Sequence, residues 1–203
     1  IQWAKQLEQA GIHVVYGIIG FKTHTKIALI VRKEKGRLRN YFHIGTGNYN
    51  SNTSKFYTDL GLLSTDPEIA SDLLELFNYL SGFSKQKSYQ KLLVSPSSMR
   101  KKFIFLIKRE IKNAEEGKKA EIIAKMNSLV DPEIINLLYL ASDSGVKISL
   151  IVRGICCLYP QRKNLSENIK VKSIIGHFLE HSRIFWFCNN GDNEVFIGSA
   201  DWM

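Results

Sequence analysis

An α/β fold built twice is the architecture this sequence predicts, and three observations predict it. Runs rich in Ile, Leu and Val, such as Lys26–Lys33 and Val146–Val152, alternate with capped helical segments, the pattern of mixed sheets flanked by helices. A short pattern then occurs in each half: His24-Thr25-Lys26 with Gly45-Thr46-Gly47-Asn48 downstream, and His181-Ser182-Arg183 with Gly198-Ser199-Ala200-Asp201 downstream. Finally, Ala10-Gly11-Ile12-His13-Val14-Val15 matches Ser144-Gly145-Val146-Lys147-Ile148-Ser149. This is duplication of an α/β unit, not a short solenoid repeat, and it predicts two similar domains related by a pseudo-two-fold axis. The polar stretch Ser81–Gln90, carrying Gly82, places the boundary so that the domains run 1–88 and 89–203.

The elements follow in order. Gln2–Ala10 reads as the end of a helix stopped at Gly11. His13–Ile19 reads as a buried strand. Lys26–Lys33 and Leu38–Ile44 read as a hairpin around Glu34-Lys35-Gly36-Arg37. Asp66 caps a helix over Pro67–Leu80, with proline at its first position and Ile69, Leu73, Leu76 (or Phe77) and Leu80 on one face. In the second half, Ser97 or Ser98 starts a basic helix reaching about Glu116. Ala120–Met126 is a strand, Asp131-Pro132 starts a helix through Ser142, and Val146–Val152 is a buried strand. Arg183–Cys188 and Val195–Ile197 are strands joined by the Asn189–Asp192 turn.

The chain has 203 residues and a formal net charge of +9, an excess that favours polyanions. Two clusters carry much of it: Arg32, Lys33, Lys35, Arg37 and Arg39, then Arg100, Lys101, Lys102, Lys108, Arg109 and Lys112. Each alone also reads as a solvated hairpin tip or helix face. No apolar run approaches the roughly 20 residues of a membrane span, and no signal peptide is visible. The chain opens at Ile1 without methionine, which reads as a piece of a longer protein. Cys156, Cys157 and Cys188 are an odd set with two adjacent, so they read as reduced core residues, not disulfides or a zinc site.

A lone histidine in a strand is usually only packed. Here Lys22, His24 and Lys26 alternate, so in an extended chain two ammonium groups flank one imidazole on one face. That trio is costly to bury without an anion. A phosphoryl group removes the difficulty: cations hold its oxygens while a neutral ring nitrogen attacks. His181 and Arg183 repeat the pairing, and the two copies could face one another across one site. The glycines of Gly45-Thr46-Gly47-Asn48 would let backbone N–H groups approach phosphate, and Asn48 or Asn50 could orient the histidine. His43 reads as structural support, and His13 and His177 as ordinary residues.

These residues carry a resemblance. Lys22-Thr23-His24-Thr25-Lys26, His43-Ile44-Gly45-Thr46-Gly47-Asn48-Tyr49-Asn50 and Tyr57-Thr58-Asp59 resemble motifs of the bacterial polyphosphate kinase family. So do Leu150-Ile151-Val152-Arg153-Gly154, Leu179-Glu180-His181-Ser182-Arg183 and Ser199-Ala200-Asp201-Trp202-Met203, in the family's order. The resemblance implies two phospholipase-D-like domains that transfer the γ-phosphoryl group of ATP reversibly to inorganic polyphosphate. It implies that His24 becomes phosphorylated and that His181 is its catalytic partner and contacts ATP. Tyr57 then contacts adenine and Arg153 the nucleotide phosphates. Lys22, Lys26, Asn48 and Arg183 are the phosphate- or polyphosphate-binding set. Mg²⁺ is the implied cofactor, with its ligands outside this stretch. A cytoplasmic enzyme, homo-oligomeric at full length, without a transmembrane segment or a specific nucleic-acid partner, is also implied; membrane association as part of a full-length complex is the alternative location. The excised stretch itself is expected to be inactive or nearly so. A plain phospholipase-D pattern continues to an aspartate about five residues beyond His-x-Lys, and neither half has one, which weakens a phosphodiesterase reading. A non-catalytic polyanion-binding module is the remaining alternative.

Overall fold

A computed structural model describes residues 2–85 and 88–203. The chain forms two compact units interleaved in sequence. One comprises the described residues of Ile1–His24, Leu29–Tyr41 and Thr65–Leu92; the other comprises Thr25–Ala28, Phe42–Ser64 and Leu93–Met203.

In the first unit, α1 (Gln2–Gln9) is followed by irregular chain. The strand expected over His13–Ile19 is absent: among the described residues no strand pairs with it, Gly17 takes φ +105°, and Ile19 is 99% exposed. Local apolar content does not make a strand without a ladder to join. The sequence match of Ala10–Val15 with Ser144–Ser149 is therefore not a match of strands. The outer parts of β1 (Ile27–Glu34) and β2 (Arg37–Gly45) form the hairpin, turning at Lys35 and Gly36, both with positive φ. Here α2 (Pro67–Leu80) begins as expected: the Asp66 side chain accepts from the N–H of Glu68 and Ile69 at 3.0 and 2.9 Å. Buried Asp72, on the same helix, accepts three backbone N–H groups, from Gln90, Lys91 and Leu92, at 2.9, 2.7 and 2.9 Å. Those bonds tie the segment after the helix back onto it.

The second unit carries the large core. Its five-stranded mixed sheet has the order β10-β9-β5-β6-β7: β5 (Glu121–Met126), β6 (Lys147–Val152), β7 (Ile169–Lys172), β9 (Arg183–Phe187) and β10 (Glu194–Gly198). β5, β6 and β7 run parallel, while β9 and β10 pair antiparallel. The parallel pair β5–β6 needs a crossover, supplied by α4 (Pro132–Asp143). Alternate residues of each strand point inward, including Ile122, Ala124 and Met126, Ile148, Leu150 and Val152, and Phe185 and Phe187. α3 (Met99–Glu115) packs Phe103 against Phe185 and Trp202, with ring centroids 4.6 and 5.5 Å apart. Asp131 caps α4 through the N–H groups of Glu133 and Ile134 and also holds Arg100 of α3 in two bonds of 2.6 and 3.0 Å. The base of the hairpin, with β4 (Gly61–Ser64) antiparallel to β2, belongs to this unit too. So does a two-residue parallel pair of β3 (Tyr57–Thr58) with β8 (Leu179–Glu180). β3, β4, β7 and β8 lay outside the sequence reading.

All three cysteines are free thiols. Cys188 is buried, but Cys157 is exposed and not a core residue: it lies beyond β6, where the alternation of that strand no longer governs it.

Candidate functional site

The site of the second unit grows from the short β3–β8 ladder. Leu179 N–H donates to Phe56 O at 2.8 Å, His181 N–H to Thr58 O at 3.2 Å, and Thr58 Oγ1 to Leu179 O at 3.1 Å. These bonds fix the backbone on either side of two side chains that need accurate placement. One is Tyr57, whose ring centroid lies 5.0 Å from that of His181. The other is Asp59, whose Oδ1 lies 2.7 Å from His181 Nδ1. A carboxylate can only accept, so Nδ1 carries a proton and Nε2 is the nitrogen left to face a substrate.

Asp59 is itself held. Thr46 Oγ1 donates to the same Oδ1 at 2.7 Å and accepts from Leu60 N–H at 2.9 Å. Gly47 is required beneath it, because a Cβ there would overlap the Asp59 carboxylate. Gly61 is required in the same way beneath the His43 ring, and a Cβ at Gly45 would lie 2.9 Å from His43 Cε1. His43 Nδ1 meets Tyr49 Oη at 2.6 Å, in keeping with a supporting role. These contacts correct the reading of the glycine-rich turn. Two of its N–H groups are used inside the protein, Gly45 donating to Lys26 O at 2.8 Å and Thr46 to Leu60 O at 2.9 Å. The glycines leave room for neighbouring side chains, and the first two amides do not face a phosphate.

His181 is 7% exposed, and its neighbours pin it from both sides. Lys125 of β5 reaches Glu180 at 2.9 Å and Ser182 Oγ at 2.5 Å. The bond from Lys125, opposed by a smaller burial effect, holds the Glu180 carboxyl below its ordinary range. Arg183 points to the same side of β9 as Phe185 and Phe187, so a guanidinium enters the core side of the sheet. Asp201 meets it at 3.1 and 3.2 Å, and its third donor reaches His181 O at 2.5 Å. Asp201 also accepts from Asn127 N–H at 2.7 Å.

Arg153 directly follows β6. Gly154 makes this possible: its N–H donates to Asn127 O at 2.7 Å, and a Cβ would approach that oxygen to 2.8 Å. Partial burial lowers the affinity of Arg153 for its proton, and the charge of Arg183 lowers it further, against smaller opposing effects of Asp201 and Tyr57. Its Nε is buried with no hydrogen-bond partner among the described residues.

The structure thus gathers Tyr57, Arg153, His181 and Arg183 in one unit. Lys26 belongs to that unit as well and is 5% exposed, while Asn48 is exposed. His24 and Lys22 lie in the other unit, half-buried and exposed respectively. The extended strand expected to carry Lys22, His24 and Lys26 on one face starts only at Ile27, and the three side chains differ in burial. Asp59, Asp201, Lys125, Glu180 and Thr46 were not read as site residues. Asp59 had a signal, since it closes the quoted Tyr57-Thr58-Asp59 motif; Lys125 had none. Among the described residues no group of three or more His, Cys, Asp or Glu stands close enough to hold a metal ion. No helix among them is long and apolar enough to cross a membrane.

Two family models match the chain: the polyphosphate kinase C-terminal domain 1 over residues 1–86 and the C-terminal domain 2 over residues 92–203. A polyphosphate kinase from Parasynechococcus marenigrum is 66% identical over 203 residues, which is all of this chain and 28% of that protein. One from Synechocystis is 59% identical over the same span, again 28% of its length. One from Dictyostelium discoideum is 54% identical over 202 residues, 19% of its length. The crystal structure of polyphosphate kinase from Porphyromonas gingivalis superimposes with a TM-score of 0.90 at 40% identity, covering all of this chain and 34% of that one. The chain spans about a third or less of the length of the relatives it matches.

Proposed function

We propose that this chain, which belongs to the polyphosphate kinase family, supplies most of the catalytic part of an ATP:polyphosphate phosphotransferase. Its two catalytic domains are read as 1–88 and 89–203, with a phospholipase-D-like fold in each. The reaction runs in two halves. A ring nitrogen of His24 attacks the γ-phosphorus of ATP, the bond to the bridging oxygen breaks, and ADP leaves. A terminal oxygen of polyphosphate then attacks the phosphohistidine, the N–P bond breaks, and the chain is longer by one phosphate. The reverse sequence makes ATP. A covalent intermediate of this kind divides the transfer and keeps its phosphoryl potential.

The observation that carries this reading is the arrangement of Asp59, His181 and Tyr57. A carboxylate fixes the tautomer of a buried imidazole, and an aromatic ring lies beside it. His181 then acts through Nε2: in the protonated ring it donates to the bridging oxygen as ADP leaves, and it takes a proton back from the polyphosphate terminus in the second half. Tyr57 receives the adenine. Arg153, partly desolvated, repelled by Arg183 and with an unpartnered Nε, is relieved by the nucleotide's phosphates. Arg183 has three donors committed inside the protein, so it contributes charge and holds the His181 backbone. Lys22, Lys26 and Asn48 complete the phosphate-binding set. In phosphoryl transfer, positioning and neutralisation supply most of the catalysis. Mg²⁺ is the proposed cofactor; the described residues offer it no carboxylate cluster, and its ligands are assigned to the part of the enzyme outside this chain. A cytoplasmic location and homo-oligomeric assembly are part of the same proposal.

The test is mass spectrometry of the complete enzyme after incubation with γ-labelled ATP. Label should map to His24 and vanish in His24→Ala. Label persisting in that variant at another residue overturns the assignment.

A further inference from the structure

The β1–β2 hairpin carries a concentration of positive charge that the transfer chemistry does not use. Its outer part holds Arg32, Lys33, Lys35, Arg37 and Arg39, all exposed, against a single acid, Glu34. That acid is already engaged. It accepts from Tyr41 Oη at 3.0 and 3.1 Å and pairs with Arg32 at 3.5 Å and Arg39 at 4.0 Å. Arg32 and Arg39 are further held over the Tyr41 ring, their guanidinium carbons 5.9 and 5.4 Å from its centroid. Among the described residues no carboxylate lies within 4.0 Å of Lys33, Lys35 or Arg37. The hairpin therefore presents two preorganised guanidinium groups and three cations without counter-charge. Such a surface gains by releasing the counterions of a polyanion.

We propose that this hairpin is a docking surface for long-chain inorganic polyphosphate, made of residues other than those that carry the transfer. The inference rests on the proposed function for its choice of polyanion. The geometry also favours a polyanion without bases. Single-stranded nucleic acid is usually held by open aromatic faces on which bases stack. Here the hairpin's tyrosine is taken up by two arginines and its hydroxyl by Glu34. What remains on offer is charge. Docking there would raise the local concentration of long chains and leave short ones unaffected.

The experiment compares the complete enzyme with its K33Q/K35Q/R37Q variant. Binding of fluorescently labelled long-chain polyphosphate is measured directly across a salt series, beside binding of tripolyphosphate and single-turnover labelling of the enzyme by ATP. Affinity for the long chain should fall roughly tenfold and the salt slope should flatten by about 2, as expected for the loss of three exposed phosphate contacts. Tripolyphosphate binding and ATP labelling should not change. The variant K101Q/K102Q/K108Q on α3 removes the same charge and should leave long-chain affinity within about twofold of the parent, as surface charges outside a contact usually do. Unchanged long-chain affinity in the hairpin variant, an equal loss for tripolyphosphate, an equal loss in the α3 variant, or a loss for single-stranded RNA but not for polyphosphate each overturns the inference. An enzyme that binds polyphosphate through the hairpin but never transfers phosphoryl to it would overturn the proposed function instead.

Discussion

His181 Nδ1 lies 2.7 Å from Asp59 Oδ1, across 122 residues of chain. The pair exists because the two-residue β3–β8 ladder sets their backbones side by side. A histidine held this way has one tautomer and one orientation before substrate arrives.

Replacing Asp59 by Asn keeps the volume and so the fit against Gly47, but removes the negative charge that fixes the imidazole. The expected result in the complete enzyme is a fall in kcat of about a hundredfold or more, with KM for ATP changed far less, as when an orienting carboxylate is lost elsewhere. Steady-state kinetics check it. An unchanged kcat would mean that His181 needs no partner.

Gly47→Ala tests the same contact from below. The added methyl group must displace the Asp59 carboxylate, because the two would overlap. Activity should fall as in Asp59→Asn, and thermal stability should drop by about 1–3 kcal/mol, the usual cost of overpacking a tight site. Both are read by kinetics and thermal unfolding of the same preparation. Gly36→Ala, where no atom lies within 4 Å of a new Cβ but φ is +80°, should cost stability alone.

The parts of this fold that were legible in the sequence are those whose signals are local. Asp66 and Asp131, each followed by proline, mark the first residue of α2 and of α4. Short apolar runs mark β5, β6 and β9, and each proves to have one face in a core. The failures share a cause in long-range pairing. His13–Ile19 has the composition of a strand and, among the described residues, no partner, whereas Tyr57–Thr58 is too short to read as a strand by itself and gains its ladder from residues 179–180. The site divides in the same way. His181, Tyr57 and Arg153 stand in recognisable motifs, but Lys125 becomes a site residue only because β5 lies beside β9. In the glycine-rich turn, close approach to a side chain and close approach to a ligand leave the same mark in a sequence.

Asp72→Ala probes the anchor in the first unit. The substitution leaves three backbone N–H groups without the acceptor that holds them. The expected cost is about 2–3 kcal/mol, because the lost bonds are to a buried charged group. Amide hydrogen exchange provides the sharper reading. Protection should be lost first at Gln90, Lys91 and Leu92. Protection retained at those amides would show that other contacts hold the segment.

Two carboxylates of the second unit should give stability opposite dependences on pH. The hydrogen bonds from Arg100, only partly offset by burial, hold the Asp131 carboxyl below its ordinary value of 3.8. The folded state then binds fewer protons than the unfolded one in that acid range. The pair's contribution is present above about pH 4 and fades as pH falls through the depressed value. Arg100 is 46% exposed, so solvent and salt screen the pair. Asp131→Asn, which can still cap α4, should narrow its deficit relative to the parent as the medium becomes acidic. Glu110 behaves oppositely. It is fully buried, and burial raises its carboxyl above the ordinary 4.5 in spite of bonds from Asn189, Glu121 and Arg109. Between the ordinary and the raised value the folded state holds the proton that the unfolded state has lost. Stability from this group therefore declines as pH rises through that window. Glu110→Gln should remove that decline, so the difference between parent and variant should move in favour of the parent on acidification from neutral pH toward the ordinary carboxyl value of 4.5. Denaturant unfolding at a series of pH values reads both effects. A Glu110→Gln curve parallel to the parent's across that window would show that the buried carboxyl does not titrate there.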